Sequence, residues 1–449
     1  MNDASLTVIL GFGVTGQSVA RHLAGRGQGF AVIDTRPPPD QILPAAGEYY
    51  WQCDSWPHEV SQRTAKVVVS PGLSPQHPLV EQARHLSLPI CTDIDLFLAM
   101  TDVPVIGVTG TNGKSTVVSL VGHLLQNWGF ACGVGGNLGP PALDLLSEEA
   151  QLYVLELSSF QLAYSGGLEL ASAGVLNIGD DHLDWHGSAA SYAAAKCRIY
   201  DKAQYRVGAT DVVSDTDVAL DAWISGSKSV QGDAWGIKDR QGETWICFAD
   251  EPLMSASELP LSGRHNIENC LWALALVKPW IEPSKAVEQL ANFAPLPHRF
   301  VSVPGPVHLH CIGDSKATNV GATMAALEGF EGNQSLILIA GGDSKGADLL
   351  PLGAAMEGRV RVLFTLGVDA PRINHIAQQH GVAWHQVETM DEAVDAAIAC
   401  ARSGDTLLLS PACASLDMYD NFSQRGDHFA ASVNRYLDFQ ISGVDLEQS

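Results

Sequence analysis

The sequence predicts an α/β protein of three domains. These are a Rossmann-like N-terminal domain, a central P-loop-type mononucleotide-binding domain with a small β layer, and a C-terminal Rossmann-like domain. Three observations lead there. Short apolar strand-like runs alternate with helical patterns almost throughout, the pattern of helices packed on parallel sheets. Glycines punctuate three strand-to-helix transitions: Thr7–Leu10 into Gly11–Gly16, Val105–Val108 into Thr109–Ser115, and Leu336–Ala340 into Gly341 and Gly342. At 449 residues the chain also exceeds one ordinary core. Hinges are expected near residue 93, and where Leu296, Pro297 and His298 break a helix-rich region, giving domains 1–93, 94–297 and 298–449. Between about Tyr205 and Gly263 the helical period fades into short Trp-, Thr- and Val-bearing segments, which read as a β insertion or side layer.

Composition narrows the function classes. The chain is 46% hydrophobic and 17% charged, enough for packed cores and against disorder. An excess of 50 Asp and Glu over 26 Lys and Arg argues against a general nucleic-acid or anionic-membrane surface. Met1–Thr7 carries no Lys or Arg, so no signal peptide is expected, and no apolar run approaches a membrane span. The nine cysteines are dispersed without a CxxC pair, which reads as reduced thiols in a cytoplasmic protein. No exposed apolar stripe is evident, and a monomer is expected.

The strongest motif is Thr109-Gly110-Thr111-Asn112-Gly113-Lys114-Ser115-Thr116, directly after an apolar strand and before a helical pattern, Val117–Trp128. Such a loop aims backbone N–H groups and a helix N-terminus at a phosphate chain. Lys114 neutralises β/γ-phosphate charge there, and the Ser115 hydroxyl suits Mg²⁺. Val108 stands where the strict GxxxxGK[ST] pattern wants glycine, so the loop is a variant. The earlier Gly11-Phe12-Gly13-Val14-Thr15-Gly16 precedes a strand ending in Asp34, about where a ribose-binding acid belongs. That pair fits a dinucleotide or a nucleotide-linked substrate equally.

Leu152–Leu155 reads as a buried strand delivering Glu156 at its C-terminal end. Glu156 and His182, within Asp181-His182-Leu183-Asp184-Trp185-His186-Gly187, are credible ligands for a divalent ion bridging ATP to a second substrate. Lys196 sits in Ser191–Tyr200 and by composition is an ordinary helix lysine. In the last third, Asp314-Ser315-Lys316-Ala317-Thr318-Asn319, Gly341-Gly342-Asp343-Ser344-Lys345-Gly346 and Ser410-Pro411-Ala412-Cys413-Ala414-Ser415 each follow a strand-like run. Together they suit an anionic amino acid at one rim of a sheet. Cys413 is the cysteine to watch.

Assembled, these motifs resemble the Mur ligases, peptidoglycan-precursor amide ligases that are also similar to folylpolyglutamate synthase. TGTNGKST, LELSSFQL (Leu155–Leu162), DHLDWHG, HNIEN (His265–Asn269), PHRF (Pro297–Phe300), DSKATN, GGDSKG and SPACASLDMYDNF occur in family order. GFGVTG with DTR, SPGLSPQHP (Ser70–Pro78) and SPACASLD point to the branch that adds D-glutamate to UDP-N-acetylmuramoyl-L-alanine.

The resemblance implies ATP-dependent formation of an acyl phosphate, attacked by the amino acid. It implies UDP-substrate binding by Val14, Thr15, Asp34, Thr35, Arg36, Ser70, Pro71 and Gly72, with Asn137, Ser158 and Gln161 at the muramoyl-alanine end. ATP falls to Gly110, Thr111, Asn112, Gly113, Lys114, Ser115 and Thr116, with Asn266, Asn269, Arg299 and Asp314. Ser115 and Glu156 take one Mg²⁺; His182 and Lys196, the latter as a CO₂-derived carbamate, take a second. Lys114, Glu156, His182 and Lys196 form the catalytic group. D-glutamate falls to Thr318, Lys345, Ser415, Leu416 and Phe422. Gly313 departs from the family habit of a polar residue before the aspartate.

Three rival readings remain. An oxidoreductase explains Gly11–Gly16 and Asp34 but leaves TGTNGKST, DHLDWHG and DSKATN without a task. A non-catalytic nucleotide-binding module needs only the phosphate loop. A sibling Mur-type or folylpolyglutamate-type ligase adds a different amino acid.

Overall fold

The computed structural model describes residues 6–40, 43–179, 181–209, 212, 218–225, 233–330 and 334–438. Its residues cluster into two compact units, residues 1–258 with 269–291 and residues 259–268 with 292–449.

The first unit carries two sheets. In the N-terminal sheet, β1 (Leu6–Leu10), β2 (Phe30–Asp34), β3 (Gly47–Trp51), β4 (Thr64–Val69) and β5 (Ile90–Cys91) run in the order β3-β2-β1-β4-β5. All its pairings are parallel. Strand β2 is buried along its whole length, as a strand covered on both faces must be. The helix Val14–Gly25 follows β1 and buries Val19, Ala20 and Leu23.

The second sheet has nine strands in the order β14-β13-β12-β11-β10-β9-β6-β8-β7. Its parallel part is β6 (Val105–Thr109), β7 (Cys132–Gly136), β8 (Leu152–Glu156), β9 (Ser172–Val175), β10 (Arg206–Ala209) and β11 (Ala222–Ser225), with β12 (Ala234–Arg240). The antiparallel β13 (Glu243–Phe248) and β14 (Glu251–Ser255) finish one edge. The β-rich stretch after Tyr205 is thus hydrogen-bonded onto the central sheet itself; residues 210–211, 213–217 and 226–232 of it lie outside the described residues.

The second unit holds β15 (Val301–Val303), β16 (His310–Gly313), β17 (Leu336–Gly341), β18 (Val360–Leu366), β19 (Ala383–Gln386) and β20 (Thr406–Leu409). Their order is β15-β16-β20-β17-β18-β19, and only β15 runs antiparallel. Side-chain caps start helices where the sequence supplies Ser, Thr or Asn: Ser188, Asn319, Thr389 and Asn421 each accept a helix N–H. No helix among the described residues is long and apolar enough to cross a membrane.

Candidate active site

Strand β6 ends at Thr109, and the helix Lys114–Asn127 begins after Gly113, whose φ of 84° only glycine adopts without strain. Gly113 offers no side chain to cap that helix, whose N-terminal end favours an anion. The loop is braced from the side. The N–H groups of Thr111 and Asn112 donate to Asn177 Oδ1 at 3.1 and 2.9 Å. Thr111 Oγ1 accepts from the Gly179 N–H at 2.9 Å and lies 3.0 Å from the Tyr192 hydroxyl.

Two amines converge on this loop. Lys114 Nζ donates to the carbonyls of Gly110 and Thr111, each at 2.8 Å. Lys196 Nζ donates to the same Gly110 carbonyl, also at 2.8 Å, and stands over the Tyr192 ring at 4.6 Å. Lys196 is 2% exposed, so it does not snorkel to solvent. Burial, reinforced by the neighbouring Lys114 charge, pulls its pKa down to about 6.

Beside the amines, Ser115 Oγ donates to Glu156 Oε2 at 2.7 Å and Asn137 Nδ2 donates to Oε1 at 2.8 Å. Glu156 ends β8 and is 3% exposed. His182 has a left-handed backbone (φ 53°), lies 3.7 Å from Asp181 through Nδ1, and packs edge-on against Phe160 at 4.7 Å. No group of three His, Cys, Asp or Glu side chains set to hold a metal occurs among the described residues. The Ser115–Glu156 pair nevertheless suits magnesium, which takes hard oxygens and usually one or two protein ligands alongside phosphate and water.

At the N-terminal glycine loop, Asp34 is 3% exposed and its carboxylate is already engaged. Oδ2 accepts the Phe12 N–H at 2.6 Å and Arg36 Nη2 at 2.7 Å, while Oδ1 accepts Arg36 N and Nε at 2.8 and 3.0 Å. Burial opposes its ionisation, but the hydrogen bonds from Arg36 and Phe12 outweigh it and hold the carboxyl below its usual range. Asp34 therefore orients Arg36 and the loop. Val14, Thr35, Arg36 and Gly72 are exposed around it, and Thr15 and Pro71 half-buried. Ser70 Oγ donates to the Gly11 carbonyl at 2.8 Å.

Ser158 and Gln161 form the capping box of the helix Ser159–Tyr164. Gln161 is 3% exposed and its amide nitrogen faces Asp93, so it supports Ser158 from within the fold.

In the second unit, DSKATN, SPACASLD and GGDSKG begin at the C-terminal ends of β16, β20 and β17, which are neighbours in the sheet. Asp314 is buried and accepts from Ser410 Oγ at 3.0 Å. Burial raises its pKa to about 7, against the Ser410 hydrogen bond and the Arg299 charge. Lys345 is exposed on a left-handed backbone, φ 52°. Leu416 is 63% exposed and Ser415 buried, with Thr318 and Phe422 half-buried. Lys316 Nζ lies 4.4 Å over the Phe422 ring. Cys413 is fully buried and its thiol is pushed up to about 12, which makes it inert. Asn266 and Asn269 lie on one helix, Arg264–Val277. Asn266 donates to the Ser262 carbonyl at 2.7 Å, and Asn269 Oδ1 sits where a Cβ on Gly113 would come within 2.5 Å.

Family models match most of the chain: the Mur ligase MurD-like N-terminal domain over residues 5–92, the Mur ligase middle domain over 108–277, and the Mur ligase glutamate ligase domain over 298–413. The chain belongs to the Mur ligase family.

Curated Mur ligases resemble it along nearly their full length. The UDP-N-acetylmuramoylalanine–D-glutamate ligase of Nitrosococcus oceani is 41% identical, covering 97% of each chain. That of Escherichia coli K12 is 40% identical, covering 94% of this chain and 96% of its own. Solved Mur ligases share the fold at low identity. The Thermotoga maritima UDP-N-acetylmuramate–alanine ligase aligns over 96% of this chain and 99% of its own (TM-score 0.58, 17% identity). The MurF ligase from Thermotoga maritima in complex with ADP aligns over 97% of each (TM-score 0.59, 15% identity).

Residue types alone do not single out several well-anchored groups in each of the two units. Arg425, 2% exposed, donates to Ser315 Oγ at 3.0 Å and to the carbonyls of Ser315, Gly341 and Cys413 at 2.9, 3.4 and 3.1 Å. It ties together the three loops after β16, β17 and β20. Tyr192 and Asn177 brace the phosphate loop, and Asp93 faces Gln161. Their sequence contexts carry only a weak signal: a helical tyrosine, an asparagine after β9, and an acid beside a Thr cap.

Proposed function

We propose that this chain joins D-glutamate to UDP-N-acetylmuramoyl-L-alanine, the pair that its relatives' names give for them, at the expense of ATP and through an acyl phosphate. The observation that carries the ATP half is the convergence of Lys114 and Lys196 on the Gly110 carbonyl beside the Ser115–Glu156 pair. A carboxylate is a poor electrophile. Transfer of the γ-phosphoryl group to it creates a leaving group that the amine displaces. The approach of a carboxylate to a triphosphate needs positive charge, which Lys114 and the positive N-terminal end of its helix provide.

Ser115 and Glu156 are the proposed ligands of one Mg²⁺, and His182 with a Lys196 carbamate those of a second. Bound there, magnesium supplies charge neutralisation and orientation of the phosphates. A lysine must lose its proton before it attacks CO₂, and burial of Lys196 at a pKa of about 6 leaves its amine neutral at physiological pH. Asp34, Arg36 and the Val14–Thr15 turn are assigned to the UDP group, with Thr35 and Ser70–Gly72. Asn137, Ser158 and Gln161 are assigned to the muramoyl-alanine end. Gly110–Thr116, Asn266, Asn269, Arg299 and Asp314 are assigned to ATP, and Thr318, Lys345, Ser415, Leu416 and Phe422 to D-glutamate. The same reading divides the chain at 93/94 and 297/298, and makes it a cytoplasmic monomer.

Mass spectrometry of the product tests the assignment. With ATP and the UDP-linked acid, D-glutamate is expected to yield the condensed product and L-glutamate none. Condensation with another amino acid in preference to D-glutamate overturns the assignment of the second unit's pocket.

A further inference from the structure

We propose that Asp93 is a positioning residue for the acid substrate, acting through Gln161 to fix Ser158. The inference rests on the reading above that Ser158 and Gln161 serve the muramoyl-alanine end.

The helix Asp93–Leu98 is already capped without Asp93. Thr92 Oγ1 accepts the Asp95 N–H at 3.3 Å, and Asp95 Oδ2 accepts the Thr92 N–H and hydroxyl, each at 2.7 Å. Asp95 Oδ1 also accepts the Gly166 N–H at 3.0 Å, just beyond the helix Ser159–Tyr164. Asp93 lies outside that capping box; its carboxylate takes backbone hydrogen bonds at its own position and Ile94, and it is 2% exposed. Burial of a carboxylate is costly without hydrogen-bond partners, and the helix N-terminus offsets only part of that cost. Its side-chain partner is Gln161 Nε2, at 3.3 Å from Oδ1 and 3.5 Å from Oδ2.

That contact decides which way a primary amide points. A carboxylate only accepts, so it takes the amide N–H₂ and sends Gln161 Oε1 the other way. There Oε1 accepts the Ser158 N–H at 3.0 Å and the Ser158 hydroxyl at 3.1 Å, while Ser158 Oγ accepts the Gln161 N–H at 3.2 Å. With the amide reversed, two donors face each other and the Ser158 hydroxyl loses its acceptor. The same short helix is joined to other parts of the site. Tyr164 donates its hydroxyl to the Leu73 carbonyl at 2.7 Å, and Ser159 Oγ lies 3.0 Å from His186 Nε2. Ser158 itself is assigned to the acid, so an error in its position is read first in the acid KM.

The test compares KM values for the UDP-linked acid and for ATP in Asp93→Asn, Asp93→Ala, Ser158→Ala, Gln161→Ala and the Asp93→Ala/Gln161→Ala double variant. Asp93→Asn, which keeps the volume, is expected to raise the acid KM about threefold and Asp93→Ala about tenfold, with the ATP KM within about twofold. Because Asp93 acts through Gln161, the double variant is expected to match Gln161→Ala alone. Multiplying effects in the double variant, or an unchanged acid KM in Asp93→Ala while Ser158→Ala raises it, overturns the inference and leaves the substrate reading intact. An unchanged acid KM in Ser158→Ala removes the reading itself, and the inference with it. Should Asp93→Ala not melt cooperatively, the Asp93→Asn value decides by the same criterion.

Discussion

The two glycine loops of the first unit look alike as sequence and differ as chemistry. Both follow a parallel strand and open a helix whose first N–H groups lack a side-chain cap. At Gly11–Gly16 the mouth is closed by an acid: Asp34 binds the Phe12 N–H and clamps Arg36. At Gly110–Gly113 the mouth holds two amines on one carbonyl, and a buried serine–glutamate pair lies beside them. The backbone provides the same dipole and donors in each place. The side chains arriving from other strands and helices underlie the proposal that the second loop takes a reactive triphosphate and the first a bound diphosphate.

That contrast is open to attack, most severely at the second loop. Lys114→Ala is expected to lower kcat/KM about a thousandfold or more in a phosphate-release assay, since it removes the loop cation proposed to face the transferring phosphoryl group. Asp34→Asn, at the first loop, is expected to raise the KM for the UDP-linked acid about tenfold while leaving the ATP KM alone; a collapse of ATP binding instead erases the distinction. Gly16→Ala places a Cβ 2.2 Å from the Gly11 carbonyl oxygen and is expected to cost about 3 kcal/mol in denaturant unfolding.

Two smaller effects depend on pH. Lys196, with its pKa lowered to about 6 from 10.5, is neutral above about pH 6 in the folded chain. Incubation with ¹³C-bicarbonate is expected to give a carbamate carbon signal that grows through pH 6–8 and is absent in Lys196→Ala. Asp314 has its pKa raised from 3.8 to about 7, so between those values the folded protein binds more protons than the unfolded one. Stability attributable to it falls as pH rises through that window. Asp314→Asn is expected to melt higher than the parent at pH 8 and to lose that advantage near pH 4.

How much of this was legible follows from what pattern carries. Alternating apolar runs and glycine-marked turns record backbone demands, so the three sheets and both loops could be read from residue types. The strand ends carrying DSKATN, GGDSKG and SPACASLD could be read too, because β16, β20 and β17 are parallel neighbours. Burial that depends on tertiary packing left no such mark. Lys196 reads as a solvated helix lysine yet is 2% exposed under Tyr192. Asp34 sits where a ribose-binding acid belongs yet spends its oxygens on Phe12 and Arg36. Arg425 and Asp93 act through partners 110 and 68 residues away, distances at which no local period operates.

The proposed reaction phosphorylates the carboxylate of the UDP-linked acid at the Lys114 loop before the amino acid attacks. The most direct measurement starts from acid labelled with ¹⁸O in that carboxylate, turned over with ATP and D-glutamate, and reads the released phosphate by mass. One ¹⁸O is expected to pass from the acid to each phosphate, because the carboxylate oxygen leaves with phosphorus when the amine displaces it. Condensed product accompanied by unlabelled phosphate contradicts it.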